Sequence, residues 1–125
     1  MQNENIQLIL PASKDFEEVA QTTIAHLAIR RGFTLSEVED LRLIMAETTG
    51  LLLKPQQSKS IYLSYEVTKE YLTLEAHLDE SSANPLPLEG IEQFTKVVGD
   101  LLDNFKIDNE KNHMYLKKYR LGDGN

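Results

Sequence analysis

Hydrophobic and polar residues alternate in several short stretches of the chain, which is the pattern of β-strands with one buried face. The two clearest stretches predict an antiparallel hairpin, because only a short turn separates them. Near the C-terminus, two shorter apolar segments on either side of a polar turn predict a second hairpin. The predicted strands are 6–10, 61–67, 71–79 and two short strands that flank a turn at 109–112. We expect the first of them to end at Pro11.

Apolar residues at helical spacing predict three helices. Ser13 is suited to cap the first helix, and Gly32 is suited to end it. The second helix is expected to begin at the capping-box pattern Thr34-Leu-Ser-Glu37 and to end before Pro55. The buried stripe predicted for the first helix is Phe16, Val19, Ala20, Thr23 and Leu27, and the stripe predicted for the third runs from Ile91 to Leu102.

This order of elements, strand–helix–helix–strand–strand–helix–strand–strand, predicts the fold class. We expect an α/β (α+β) two-layer sandwich, with a mixed, largely antiparallel sheet covered on one face by three helices. No linker or internal repeat interrupts the pattern. The prediction is therefore a single domain over residues 1–125, with a frayed tail at 121–125.

The second predicted helix is apolar on two sides. One stripe contains Val38, Leu41, Met45 and Leu52, and the opposite side contains Asp40, Leu43, Glu47 and Leu51. A helix of this kind is expected to be covered on both sides, by the sheet and by a ligand or another protein.

Composition and charge narrow the classes of function. The chain has 41% hydrophobic and 26% charged residues and no cysteine, so thiolate metal sites and cysteine nucleophiles are excluded. The formal net charge is −7, which argues against direct nucleic-acid binding because phosphates attract clustered Lys and Arg. No apolar run approaches the ~20 residues needed to cross a bilayer. We therefore expect a cytoplasmic protein that acts on neither nucleic acid nor membrane.

The histidines and tyrosines give weaker signals. His26, His77 and His113 lack the spacing of metal ligands, so no metal site is predicted. Most tyrosines fall on predicted strands, where cross-strand packing is the default role and an exposed ring is an interface candidate.

The segment Leu41-Arg-Leu-Ile-Met-Ala-Glu-Thr-Thr49 resembles the first nucleotide-box helix of the bacterial anti-sigma-factor serine kinases, small members of the GHKL (histidine kinase-like) ATPase superfamily. Leu78-Asp79-Glu80 resembles the start of that family's Asp-x-Gly-x-Gly box. The segment 101–108 resembles its closing helix-to-strand segment. The resemblance implies a GHKL fold, Mg-ATP as cofactor, homodimers, and a sigma factor or an anti-sigma antagonist as protein partner.

The resemblance also implies roles for two carboxylates. Glu47 would be the general base for a protein serine hydroxyl, and Asp79 would accept a hydrogen bond from the adenine amino group. The alternative for Glu47 is a partly exposed helix carboxylate left over from such a site. The alternative for Asp79 is a polar residue that begins a turn.

The chain departs from the family pattern where phosphates and magnesium would bind. Leu51 stands four residues after Glu47, where the family has a metal-binding Asn, and leucine offers no oxygen to a hard cation. Ser81 and Ala83 replace the box glycines, and no Gly-x-Gly precedes the last helix. We therefore predict a regulatory pseudo-enzyme without cofactor, metal or kinase activity. The alternative is an active ATP-dependent serine-protein kinase acting on an anti-sigma antagonist.

Overall fold

The computed structural model of the chain describes residues 4–53, 59–79 and 85–121. Short 3-10 turns at Lys14–Phe16 and Gly99–Leu101 accompany the regular elements. The strands are β1 (Glu4–Pro11), β2 (Ser60–Val67), β3 (Tyr71–Leu78), β4 (Asn104–Asp108) and β5 (His113–Tyr119), and the helices are α1 (Glu17–Arg30), α2 (Leu35–Leu52) and α3 (Leu88–Val98).

The strands form a single sheet in the order β1-β2-β3-β5-β4, and all four pairings in the described residues are antiparallel. The expectation of a mixed sheet was therefore wrong. The reason lies in the connection from β1 to β2, which contains two helices instead of one. Two antiparallel helices return the chain to the end of the sheet that it left, so the next strand runs in the opposite direction.

Alternation along the strands places one face of the sheet in the core. The inward residues of β2 and β3 are buried, and the helices pack over this face. The prediction of an α+β fold with five strands and three helices is confirmed, and the arrangement is that of a two-layer sandwich. The core is centred on Ile24, Leu41, Ile44, Met45, Leu52, Leu63, Tyr65, Leu74 and Met114.

The buried stripe predicted for the first helix is confirmed at Ala20 and Leu27 but wrong at its start. Phe16 and Val19 are exposed, whereas Ile24 and Ala28 are buried. Phe16 belongs to the preceding 3-10 turn, whose three residues per turn shift the side chains relative to an α-helix. Ser13 caps that turn by accepting a hydrogen bond from the backbone N–H of Asp15 at 3.2 Å.

The capping box predicted at the start of α2 is present and has a second function. The Glu37 carboxylate accepts a hydrogen bond from the N–H of Thr34 at 2.7 Å, and the Thr34 hydroxyl accepts one from the N–H of Glu37 at 3.1 Å. The other carboxylate oxygen of Glu37 accepts a hydrogen bond from the N–H of Leu121 at 2.6 Å. Glu37 therefore connects the first turn of α2 to the chain that leaves β5.

The second side of α2 is covered only in part. Leu51 is buried, Asp40 and Glu47 are half-buried, and Leu43 is 42% exposed. The expected apolar second side is therefore not a continuous surface. α2 packs against α1 and α3 as well as β3, and its C-terminal half is the part that approaches α3.

Candidate functional site: a groove at the helix ends

Glu47 lies in a cavity of about 330 Å³. The cavity forms where the start of α1, the C-terminal half of α2 and the start of α3 come together. We call it the helix-end groove. Its lining residues are Lys14 and Glu17 beside α1, Ala46, Glu47, Gly50, Leu51 and Leu53 in and after α2, and Gly90, Gln93 and Phe94 in α3.

A glycine inside α2 lines the groove next to open space. A Cβ atom added at Gly50 would meet no other atom within 4 Å. Glycine in a helix interior costs about 1 kcal/mol relative to alanine, so the residue is not there for helix stability. Below it, Phe94 is only 1% exposed and packs edge-on against Phe105, with 5.9 Å between ring centres. The groove therefore has a rigid apolar floor and open space above one turn of α2.

The surroundings of the groove are acidic. Glu17 and Glu47 face a single lining cation, Lys14, among the described residues. In sequence, Asp15 is next to Lys14 and Glu18 is next to Glu17. The third helix, α3, adds the exposed Glu89 and Glu92. Several of these carboxylates lie in the first turns of helices, where they also complement the helix dipole. The sum of charges nevertheless favours a cationic partner over an anionic one.

Asp79 lies outside the helix-end groove. It follows β3, and its carboxylate accepts a hydrogen bond from the backbone N–H of Lys59 at 3.2 Å. It lines a different cavity of about 410 Å³, together with His77, Asn112 and His113. No described residue lines both cavities. In the described residues, Glu47 and Asp79 therefore line two separate cavities, and their shared role in a nucleotide site stays a prediction.

The features expected of a phosphate and metal site are weak or fall outside the described part. Leu51 is buried, and its side chain offers no ligand to a cation. Gly99 packs closely against its own helix, because an added Cβ atom would lie 3.4 Å from the side chain of Thr95. Ser81 and Ala83 lie outside the described residues. In residues 4–53, 59–79 and 85–121, no group of three or more His, Asp or Glu side chains is placed to hold a metal ion.

No protein-family model matches this chain, and no curated protein matches it significantly. These two comparisons do not identify the chain as a member of the anti-sigma-factor kinases, and the resemblance stays a prediction from short sequence motifs. Within the described residues, none of the helices is both long enough and apolar enough to cross a membrane.

The face of the sheet that points away from the helices carries a second group of residues, which sequence reasoning did not assemble. We call it the open sheet face. Tyr62 and His77 stack with 5.0 Å between ring centres, and His77 lies 6.0 Å from His113. The Lys117 amine sits 4.4 Å from the centre of the Tyr71 ring, and a hydrogen bond with Tyr119 raises the pKa of Lys117.

The five tyrosines divide unequally between the two faces. Tyr65 alone points into the core, where its hydroxyl donates a hydrogen bond to the carbonyl of Ala20 at 3.3 Å. Burial raises the pKa of Tyr65. The other four lie on the open sheet face, at Tyr62, Tyr71, Tyr115 and Tyr119, as the pairing of the strands requires. The signal was present in the strand alternation: Tyr62 directly precedes the buried Leu63, and Tyr115 lies between the buried Met114 and Leu116.

Proposed function

We propose that this protein is a regulatory protein-binding module that resembles an anti-sigma factor, with a degraded ATP site and no kinase activity. The observation that carries the proposal is the composition of the helix-end groove. Glu47 lies there beside Leu51, with one lysine as the lining cation, while Asp79 lines a different cavity. This arrangement suits a protein partner better than a magnesium-bound triphosphate.

The charges of the groove argue against ATP. Phosphoryl transfer depends on groups that neutralise the phosphates and hold magnesium, because the transition state is stabilised almost entirely by electrostatics. Each lost charge-assisted hydrogen bond removes about 1.5–3 kcal/mol of binding. Glu17 and Glu47 would add repulsion between carboxylates and phosphates. Without the phosphates and the metal, Glu47 has no reaction to catalyse.

The same charges favour a basic helix as the partner. The floor of the groove is apolar at Leu51 and Phe94, its rim is acidic, and Leu88 is exposed at the start of α3. An amphipathic helix with lysines or arginines beside its apolar stripe matches this pattern. A basic DNA-binding helix of a sigma factor has that chemistry, and this is the partner class that we propose.

The proposal is tested by capture of partners from the native host, with variants of the groove as controls. Wild-type protein is expected to retain a sigma factor or an anti-sigma antagonist, identified by mass spectrometry. Glu47→Lys, which reverses the charge, and Gly50→Leu, which fills the open space, are expected to lose that protein. Glu39→Lys, on an exposed position of the same helix, is expected to keep it. Recovery of neither class of protein by wild type would contradict the proposal.

The second candidate is an active serine-protein kinase. One observation favours it: Glu47 lines an open, partly polar cavity, whose size is at the lower end of the range for small-molecule sites, about 300–1,000 Å³. If it were correct, wild type would transfer phosphate from Mg-ATP to an anti-sigma antagonist. Glu47→Gln would abolish that transfer while leaving nucleotide binding largely intact. We expect no transfer by either protein.

A further inference from the structure

The open sheet face contains a cavity of about 240 Å³ above β1, β2 and β3. We call it the sheet-face cavity. The strand register builds its lining, because residues that are paired across neighbouring antiparallel strands lie side by side. Two adjacent rows with one residue from each strand line the cavity: an apolar and aromatic row, Ile9–Tyr62–His77, and a polar row, Gln7–Ser64–Glu75. The cavity therefore has an aromatic wall beside a line of hydrogen-bonding groups.

The polar row carries oxygen acceptors across three strands. Neighbouring strands lie about 4.8 Å apart, so the row from Gln7 to Glu75 spans about 10 Å. Ser64 stands in the middle, and its short side chain leaves room for a ligand above the strand. The Ser64 hydroxyl donates a hydrogen bond to Oδ1 of Asn5 at 3.5 Å, which leaves the lone pairs of its oxygen to accept. A ligand with several donors can therefore bond to more than one residue of the row.

The charge around the sheet-face cavity is negative. Over the ranges given above, β1, β2 and β3 contain no lysine or arginine, and Glu66 and Glu75 project from this part of the open sheet face. The Glu75 side chain is 54% exposed, and its Oε1 lies 3.9 Å from Nε2 of His113, a contact that is an ion pair only when that ring is protonated. A cation in the cavity can therefore pair with the Glu75 carboxylate.

The other charges of the open sheet face belong to the remaining two strands. β4 carries Lys106 and Asp108, whose charges are opposite, and β5 carries Lys117. The Lys117 amine lies 4.4 Å from the centre of the Tyr71 ring and 4.8 Å from that of the Tyr119 ring. Its charge is therefore held at those two rings, neither of which lines the cavity.

These features fit a guanidinium group better than the other common charged groups. An ammonium is a compact point charge with three donors, whereas a guanidinium is planar, carries five N–H donors in a fixed fork and stacks on aromatic rings. The fork can bond to the Glu75 carboxylate and still has donors for the oxygen of Ser64. Glu66 and Glu75 would repel phosphates, so the aromatic rings here do not favour nucleic acid.

The size of the cavity favours a single side chain over a whole small molecule. About 240 Å³ is below the range of about 300–1,000 Å³ for small-molecule sites. Ile9, which is 62% exposed, offers an apolar surface to the methylene stem of a long side chain. Arginine is also enriched at protein interfaces. We propose that the sheet-face cavity binds one arginine side chain of a partner protein, with its guanidinium on Glu75 and Ser64.

This inference concerns a cavity that shares no described lining residue with the helix-end groove, and it does not depend on the proposed function. The test is an NMR titration of the isotope-labelled full chain with a short end-blocked glycine peptide that carries one central arginine. Saturable shifts are expected in the backbone amides of Gln7, Ser64 and Glu75. A matched peptide with citrulline keeps the shape without the charge and should give no saturable shift. A matched peptide with lysine should bind more weakly than the arginine peptide.

Variants of the cavity identify the site of binding. Glu75→Gln keeps the shape of an exposed side chain and should bind the arginine peptide about tenfold more weakly, because a neutral hydrogen bond replaces a charge-assisted one. Ser64→Leu should fill the cavity and remove the shifts. Glu39→Gln, which removes the same charge from an exposed position on α2, should bind as wild type does. Circular dichroism checks that each variant is folded.

Three results would overturn the inference. The first is the absence of saturable shifts at the lining residues when the arginine peptide is added. The second is unchanged affinity in Glu75→Gln, which decides the matter even if Ser64→Leu fails to fold. The third is equal affinity for the lysine or citrulline peptide, which would mean that the cavity does not recognise a guanidinium.

Discussion

The helix-end groove and the open sheet face differ in how the chain builds them. The groove collects residues from three segments far apart in sequence, and Gly50 of α2 faces open space there. The open sheet face follows from simple alternation along neighbouring strands. The groove is concave, acidic and apolar at its floor, whereas the sheet face is aromatic and carries both acidic and basic side chains. A fold with one core can therefore present two surfaces that suit different partners.

The largest expected effect comes from removing the floor of the groove. Phe94→Ala should lower the free energy of unfolding by about 3–5 kcal/mol, since the buried ring would leave a cavity against Phe105. Denaturant unfolding measures the loss. The matched control is Phe16→Ala, at a residue 38% exposed, which should cost much less. Equal losses for both phenylalanines would mean that the groove floor is not part of the core.

A smaller effect is expected at Glu37, which connects the start of α2 to the chain after β5. Glu37→Ala removes the hydrogen bonds that the N–H groups of Thr34 and Leu121 donate to the carboxylate, and at about 0.5–1.5 kcal/mol for each bond the two together cost about 1–3 kcal/mol. Thermal unfolding should show the decrease. Glu39→Ala, two residues along the same helix and exposed, should have little effect. If the two variants were equally stable, the connection between α2 and the end of β5 would carry no stability.

The smallest effect on stability is expected when a tyrosine in the core is compared with one on the open sheet face. Tyr65→Phe should cost about 1 kcal/mol, because the hydrogen bond to Ala20 is lost. Tyr62→Phe, on the open sheet face, should cost less. Burial raises the pKa of Tyr65, so the folded state favours its protonated form. The resulting contribution to stability is fully present below the unfolded-state pKa of ~10 and is lost as pH rises above that value.

The pH dependence gives this comparison a second readout. In alkaline titration followed by tyrosine absorbance, Tyr65 should ionise only as the protein unfolds. The Tyr65→Phe variant should lack that step, and its stability should fall less steeply above pH ~10. A step that persists unchanged in Tyr65→Phe would contradict the assignment.

Much of the fold could be predicted from the sequence, because each element carries a local signal. The hairpin of β2 and β3, the turn before β5 and the capping box at Thr34 and Glu37 are set by alternation or by neighbouring residues. The direction of β2 relative to β1 was harder to predict from the sequence, since it depends on how two helices pack together. The stripe of α1 was misassigned only at Phe16 and Val19, because a 3-10 turn precedes the helix.

The candidate site was predicted only in part. Glu47 was singled out from its place on an apolar helix, and the structure puts it in a cavity. Its neighbours Lys14, Gly50 and Gln93 could not be foreseen, because they meet only through packing of three helices. Asp79 was joined to Glu47 by the resemblance alone, and the described residues place it in a different cavity. Motifs predict which residues carry chemistry, but the packing decides which of them meet.

The central claim is that the helix-end groove serves a protein partner and not a nucleotide. Calorimetric titration of the protein with Mg-ATP tests this most directly, with Gly50→Leu as the variant that fills the groove. We predict no measurable binding heat for either protein. Affinity of wild type in the micromolar range, about −8 kcal/mol, together with its loss in Gly50→Leu, would contradict the claim and identify the groove as a working nucleotide site.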